Sequence, residues 1–352
     1  MTRVGIALLT LVPGELGGSE TYVRELLRSL AAVGELDYRV LLPPVAADAA
    51  GGLPAEVATE YRRARTITER LAAMALATAR PGPLRRRLAD ADVVHYPLTL
   101  RIPPVRAPSV ATLFDLQHLD LPALFSRAER AFRAVAWHRS LRGADRVIAI
   151  SSFVRERGIE LLGLDPDRVR VAPLAIDHAR YRPAAVARER FLLYPARRWP
   201  HKNHERLFAA FAALRRDEPD LRLVLTGGGH AGLPVPDGVE VRGLVSEDEL
   251  VDLYRRAAAL VFPSLYEGFG IPVLEAMGCG CPVACANAGS LPEVAGDAAV
   301  LFDPYDPDAI AAALRELLAA PAAWSARGLE HVRRFSWEAT ARAHEAVYRE
   351  LA

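Results

Sequence analysis

The sequence predicts an α/β protein of two doubly wound domains, and three observations carry that prediction. The chain has 352 residues, of which 51% are hydrophobic and 25% charged, enough for two sizeable cores. Short apolar runs of strand length alternate with amphipathic stretches of helix length along most of it. The alternation breaks once, at the polar, proline-containing stretch "LAIDHARYRPAAVARER" (174–190). We therefore divide the chain into a first domain (1–176), a linker (177–190) and a second domain (191–335). The last helix, about 336–352, crosses back to the first domain.

The elements follow in order. "VGIALL" (4–9) reads as the first strand rather than a signal peptide, because a Gly-rich loop and an amphipathic stretch follow it and no small-residue cleavage site does. "SETYVRELLRSLAAV" (19–33) is a helix with Ser19 as its N-cap. "YRVLLP", "DVVHYP", "SVATLF" and "DRVIAIS" are strands; "SSFVRERGIELLG" is a helix and "RVRVAP" a strand. In the second domain, strand "FLLYPA" (191–196) precedes helix "HERLFAAFAALRRD", then strands "LRLVLTGGG" and "VEVRGL". Helix "SEDELVDLYRRAA" opens with Ser246 and Glu249 spaced as a capping box. Strand "ALVFPSL", helix "PVLEAMG", strand "CPVACA" and helix "PDAIAAALRELLAA" complete it, and "SWEATARAHEAVYRELA" is the closing helix.

Composition narrows the function. A net charge of +1 gives no signal for nucleic acid. No apolar run approaches the roughly 20 residues of a membrane span. Cys279, Cys281 and Cys285 are interleaved with Gly and Ala, unlike the separated pairs of a zinc site, and suit a reducing cytoplasm. Between 60 and 88, arginines alternate with small apolar residues. That stretch is either a solvated helical face or a basic surface for an anionic acceptor or the inner face of a membrane.

One residue stands apart. Of 44 basic residues Lys202 is the single lysine, so a bias toward arginine spared one position. A site that needs a compact ammonium on a flexible stem resists that exchange. Arg197 and Lys202 flank a loop at the carboxyl end of the second domain's first strand, where open α/β sheets bind ligands. Two cations there suit a diphosphate, and would stabilise it as a leaving group. Gly227 and Gly228 end the next strand in a loop without side chains. Further on, "EGFGIPVLEAMGCGCPV" sets Glu267 and Glu275 around a glycine loop and a helix start near Pro272. Gly268 and Gly270 let a ligand approach the backbone, and the helix start favours an anion. Glu275 is placed to accept two vicinal hydroxyls.

These pieces carry a resemblance. "GGSE" (17–20), "IAISSFVRE", "PLAIDHARYRP", "ARRWPHKN", "GLVSEDELVDLYRRA" and "EGFGIPVLEAMGCGCPV", in this order, resemble the family-4 retaining glycosyltransferases of the GT-B fold, the glycosyl transferases group 1. The resemblance covers nearly the whole chain and is most specific over 191–305. It implies two Rossmann-like domains facing a central cleft, with a nucleotide sugar held mainly by the second. By position, Arg197 and Lys202 contact the diphosphate and Glu275 the ribose. Glu267 and the backbone of Gly268, Phe269 and Gly270 hold the transferred sugar, with Ile271 and Leu274 beside them. Val245 lies where the base is contacted, and Gly17 and Gly18 form the loop near the phosphates. The donor implied is a UDP- or GDP-linked, mannose- or glucose-like sugar, with neither cofactor nor essential metal. The acceptor is a glycan, a lipid-linked sugar or a natural-product aglycone. The Asp90-x-Asp92 pair precedes a strand at its amino end, the wrong edge for a site.

One departure bears on catalysis. Many relatives place a histidine where this chain has Phe114. Either His118 or Asp115 takes its catalytic place beside Glu267, Arg197 and Lys202, or the donor pocket is altered. The alternative to an enzyme is a non-catalytic glycosyltransferase-like subunit that binds nucleotide or a partner. An NAD-dependent oxidoreductase is excluded, because "PGELGGSE" lacks the G-x-G-x-x-G spacing.

Overall fold

The apolar runs fold into two parallel sheets, as expected for strands buried on both faces. The computed structural model describes residues 1–15, 17–61, 67–230, 232 and 234–352, with only the backbone of Ile67. Part of the arginine-rich stretch, 62–66, lies outside the described residues. The chain forms two units, Met1–Leu174 with Trp337–Ala352, and Ala175–Ser336.

The first unit has strands β1 (Arg3–Ala7), β2 (Asp37–Leu42), β3 (Ala55–Val57), β4 (Val93–Tyr96), β5 (Ser109–Leu113), β6 (Arg146–Ala149) and β7 (Val169–Val171). Their order is β3-β2-β1-β4-β5-β6-β7. Its helices are α1 (Gly18–Val33), α2 (Ile67–Ala79), α3 (Gly82–Arg87), α4 (Gln117–Asp120), α5 (Arg127–Gly143) and α6 (Ser152–Leu162). The second unit has β8 (Glu189–Pro195), β9 (Arg222–Thr226), β10 (Val239–Gly243), β11 (Ala257–Phe262), β12 (Val283–Ala286) and β13 (Val300–Phe302). Their order is β10-β9-β8-β11-β12-β13. Around them lie α7 (His204–Arg215), α8 (Glu247–Arg256), α9 (Ile271–Gly278), α10 (Leu291–Ala295), α11 (Pro307–Ala319) and α12 (Pro321–His331). The closing helix α13 (Trp337–Arg349) belongs to the first unit and packs on α1. Each sheet reverses direction beside its first strand, which is the Rossmann order. The two switch points lie at the carboxyl ends of β1/β4 and β8/β11.

Local details differ from the sequence reading. Helix α1 is capped by Gly17, not Ser19, with φ 53° and no side-chain cap bond. That backbone conformation suits glycine and starts the helix one residue before Ser19. Glu20 instead reaches back to the Gly14 N–H (2.7 Å). At α8 only half of the capping box forms. Ser246 Oγ accepts the Glu249 N–H (3.2 Å), while the Glu249 carboxylate faces Arg242 (3.5 Å). Residues 177–190 are held against the second unit rather than running free. Tyr181 lies edge-on to Tyr254 (6.3 Å), and Arg255 Nε donates to the Arg182 carbonyl (2.9 Å).

Of the described arginines near 60–88, several are already engaged. Arg70 pairs with Glu15, Arg87 with Glu56 and Glu60, and Arg85 Nε donates to the Pro104 carbonyl. The described part is thus not a continuous free basic face. Among the described residues no helix is long and apolar enough to cross a membrane.

A buried polar chain fixes α13 on its unit. His344 Nδ1 faces the Thr340 carbonyl (2.8 Å), so it carries the proton and donates. Its Nε2 therefore accepts from the Tyr22 hydroxyl (2.8 Å). Tyr22 in turn accepts from Thr112 (2.9 Å), which leaves Thr112 to accept from His95 Nε2 (2.9 Å). His95 Nδ1 then accepts from Tyr348 (2.8 Å). Both imidazoles are neutral, and a second proton on either would meet a donor. Burial pushes the His344 pKa down to about 4 and that of His95 well below its ordinary value. Unfolded, both protonate near pH 6.5. The unfolded state thus gains protons first as pH falls from about 6.5 towards 4, and stability falls by about 1.4 kcal/mol per pH unit per histidine. We expect the thermal midpoint to drop between pH 7 and pH 5, and His344→Gln to flatten that dependence. An unchanged slope in the variant would show that this chain does not govern it.

Candidate functional site

The second unit's switch point brings Lys202 and Glu267 together. β8 ends at Pro195, and the chain turns through Arg197 to a single 3₁₀ turn at Pro200–Lys202. β11 ends at Phe262 and leads through Tyr266 to Glu267. There Lys202 Nζ meets Glu267 Oε1 at 2.5 Å, each side chain only 14% exposed. The ammonium also lies 5.4 Å from the centre of the Phe262 ring, and the Lys202 carbonyl accepts from the Tyr194 hydroxyl (2.6 Å). Arg197 is exposed, with its guanidinium 5.7 Å from the Trp199 ring. Burial lowers the pKa values of His201 and His204, next to Lys202, to about 4 and about 3. Both are neutral at pH 7, which leaves Lys202 and the arginines as the cations of this loop.

Asn203, one of three amide side chains in the protein, holds the loop in place. It sits at φ 61° in the N-cap position of α7 without a side-chain cap bond, and its amide donates to the carbonyls of Pro263 (3.1 Å) and Pro304 (2.7 Å). Three loops at the carboxyl edge are thereby tied to the residue after Lys202. The sequence reading gave Asn203 no role.

Helix α9 begins after Gly270, with Pro272 in its first turn, where a missing N–H costs nothing. Gly270 has φ 107°, and a Cβ there would come within 2.6 Å of the Leu291 side chain. Its glycine is thus required by packing as well as by any ligand. The carboxylate of Glu275 accepts from the Tyr254 hydroxyl (2.8 Å) and from Tyr181. Burial raises its pKa above the ordinary carboxylate value, and the two phenols oppose that shift. Phe269 and Leu274 are core side chains, 3% and 0% exposed, so Phe269 offers its backbone only. Ile271 is partly exposed at the helix start.

Two residues missed from sequence support the Glu267 loop. Ser290 Oγ donates to the carbonyl of Phe269 (2.7 Å) and lies 3.1 Å from that of Glu267. Gly289, at φ 60°, lets the Glu267 backbone approach so closely that a Cβ would fall 2.7 Å from its carbonyl oxygen. The only signal was a Gly-Ser pair before a proline-started helix. We expect Gly289→Val to destabilise the protein by about 2 kcal/mol or more, from positive φ plus overlap, and to weaken nucleotide binding. An unchanged melting midpoint would contradict this packing.

The remaining predicted residues lie at carboxyl edges. Gly227 packs on the Ala196–Arg197 backbone, where a Cβ would meet the Ala196 carbonyl at 2.7 Å, whereas Gly228 faces open space. Val245 follows β10 and is partly exposed. In the first unit, Gly17 and Gly18 start α1 after β1. Phe114 follows β5 and stands edge-on to Tyr22 (5.3 Å). His118 is 1% exposed, with Nε2 2.9 Å from His138 Nε2, and burial lowers its pKa to about 4. Asp115 caps the Gln117 N–H (3.0 Å) and pairs with Arg133 (3.4 Å). Asp92 accepts from the Arg3 N–H (2.8 Å), at the amino edge. The three cysteines are buried free thiols, their pKa values pushed up to about 12 by burial.

Comparison with known proteins shows the family and the fold. Residues 16–180 match the model of Glycosyltransferase Family 4 and residues 177–339 that of Glycosyl transferases group 1. The chain is 32% identical to the O-antigen chain mannosyltransferase B of Escherichia coli, over 70% of this chain and 71% of that protein. It is 30% identical to a D-inositol 3-phosphate glycosyltransferase of Streptomyces bingchenggensis, over 96% of this chain and 85% of that one. Sucrose-phosphate synthase from Thermosynechococcus elongatus has a similar fold, with TM-score 0.79 and 22% identity, covering 100% of this chain and 99% of that one. So does Anabaena HepE in complex with UDP and glucose, with TM-score 0.74 and 17% identity, over 99% and 100%. These matches show that the chain belongs to the glycosyl transferases group 1, and its two Rossmann-ordered sheets are those of the GT-B fold.

Proposed function

We propose that this glycosyltransferase moves a hexose-type sugar, mannose- or glucose-like, from a nucleoside diphosphate to an acceptor hydroxyl, with retention of the anomeric configuration. The observation that carries the reading is the Lys202–Glu267 contact of 2.5 Å at the β8/β11 switch point. Arg197 and Lys202 take the diphosphate and stabilise it as the C1–O bond breaks. The acceptor oxygen bonds to C1 from the face the diphosphate leaves, and its proton passes to a phosphate oxygen. Glu275 takes the ribose hydroxyls, Glu267 and the 268–270 backbone take the sugar, and Val245 lies by the base. The name of the Escherichia coli mannosyltransferase supports a mannosyl donor, and the UDP and UDP-glucose complexes of HepE support a nucleotide sugar. Asp115, at 28% side-chain exposure, is better placed than buried His118 to meet a ligand.

The test is release of nucleoside diphosphate from UDP- and GDP-sugars by purified protein, followed by NMR of the product's anomeric proton. The expected result is turnover with retention, changed by no more than about twofold in EDTA, because side-chain cations supply the charge a metal otherwise would. Inversion, or abolition by EDTA, would contradict the mechanism. A second reading, a nucleotide-binding subunit without catalysis, is favoured by Phe114 alone. Binding without turnover for any donor would select it.

A further inference from the structure

The first unit carries an apolar groove unrelated to the nucleotide residues. It runs between α2 and α5 beside the loop after β4 and has a volume of about 510 Å³. That is the size of a small-molecule site, typically about 300–1,000 Å³. Leu71 and Met74 of α2, Phe132 and Val135 of α5, and Leu100 and Ile102 of the loop supply its apolar surface. Val135 is 68% exposed and Leu71 41%, although water disfavours both.

The polar side chains in the groove define the ligand. The hydroxyls of Thr78 and Ser140 turn back to carbonyls of their own helices, at Met74 (2.8 Å) and Ala136 (2.8 Å). Among the described residues two arginines remain, Arg101 and Arg139, and no acidic one lines the groove. Neither arginine has a carboxylate partner among the described residues. Among the described residues Arg101 Nε finds no hydrogen-bond acceptor, so the guanidinium keeps its charge uncompensated where Arg101 borders the groove. A ligand that suits this surface has an apolar chain and an anionic head.

We propose that the α2/α5 groove binds the chain of a monomeric anionic amphiphile, an alkyl or isoprenoid phosphate, with Arg101 and Arg139 on its head. Taken as the lipid part of an acceptor, this ligand rests on the transferase reading above; as a ligand site it stands alone. Helix α5 links the groove to the first unit's carboxyl edge. Its Arg133 pairs with Asp115 while Phe132 and Val135 line the groove.

The test is calorimetric titration of farnesyl phosphate, farnesol and inorganic phosphate, without nucleotide, into wild type, Val135→Asp and Arg139→Ser. Val135 and Arg139 are exposed, so both variants are expected to fold. Farnesyl phosphate should bind, farnesol about tenfold more weakly, and phosphate alone not measurably, since head and chain each contribute. Val135→Asp should weaken farnesyl phosphate at least about tenfold by placing a charge on the apolar wall, and Arg139→Ser about fivefold. No binding, or binding indifferent to both substitutions, would overturn the site. Binding to anionic phospholipid vesicles but not to the monomer would also overturn it, in favour of a membrane-facing surface. Because no nucleotide is present, the outcome is separate from that of the donor experiments.

Discussion

Lys202→Ala is expected to lower kcat/KM by about 10²–10³-fold, the usual effect of removing one cation from a developing leaving-group charge. The ammonium sits at the β8/β11 switch point, 2.5 Å from Glu267 and over the Phe262 ring. Removing it deprives a donor diphosphate of a point charge and leaves Glu267 without its partner. The stability cost is expected to be about 1–3 kcal/mol, that of losing a hydrogen bond between charged groups. Lys202→Arg is the sharper variant. A planar guanidinium cannot occupy the place of a compact ammonium that is 14% exposed between a carboxylate and an aromatic face. We expect it to lose far more turnover than stability. Equal turnover in Lys202→Arg would make the single lysine an accident of composition.

Glu275→Gln is expected to weaken nucleotide binding by about 10–100-fold, the equivalent of one or two charge-assisted hydrogen bonds. The carboxylate already accepts from two phenol donors, Tyr254 and Tyr181, and has lone pairs left for two vicinal hydroxyls. A Gln amide nitrogen would turn a donor towards donors. The unliganded protein should keep its melting midpoint or gain slightly, because the burial that raises the Glu275 pKa penalises its charged form. The pH dependence follows in sign. Binding needs the carboxylate, so affinity should fall as the solution is acidified through the raised pKa, above the ordinary carboxylate range. Binding by Glu275→Gln should lack that step. A variant that binds nucleotide as wild type does would remove Glu275 from the site.

The strands were legible because both faces of each sheet are covered, which turns runs such as "FLLY" and "ALVF" into unbroken apolar segments. β3 and β13, three residues each, went unread, whereas β7, equally short, was marked by the alternation of "RVRVAP". Helix α5 was missed because its apolar residues do not gather on one face; its one clear signal was the full capping box of Ser126 and Glu129. In the site, Lys202 stood out by composition, and the switch-point rule put it at the carboxyl edge, while its contact with Glu267, 65 residues away, was not legible. The contacts of Glu275 with Tyr181 and Tyr254, the clamp made by Asn203 and the support from Gly289 depend on side-chain reach across loops. No local spacing encodes that. The same holds for Phe114, whose departure was visible in sequence while its packing on Tyr22 was not.

The central claim is that the second unit is a live nucleoside diphosphate site built on Lys202. The most direct measurement is the thermal midpoint of wild type and Lys202→Ala with UDP, GDP, dTDP, ADP or no ligand. Selective binding at a hundredfold excess over Kd contributes about 2.7 kcal/mol, a rise of roughly 5–10 °C. The account predicts such a rise with one of these nucleotides in wild type and little or none in Lys202→Ala. No rise with any of them at millimolar concentration, or an equal rise in the variant, would contradict it.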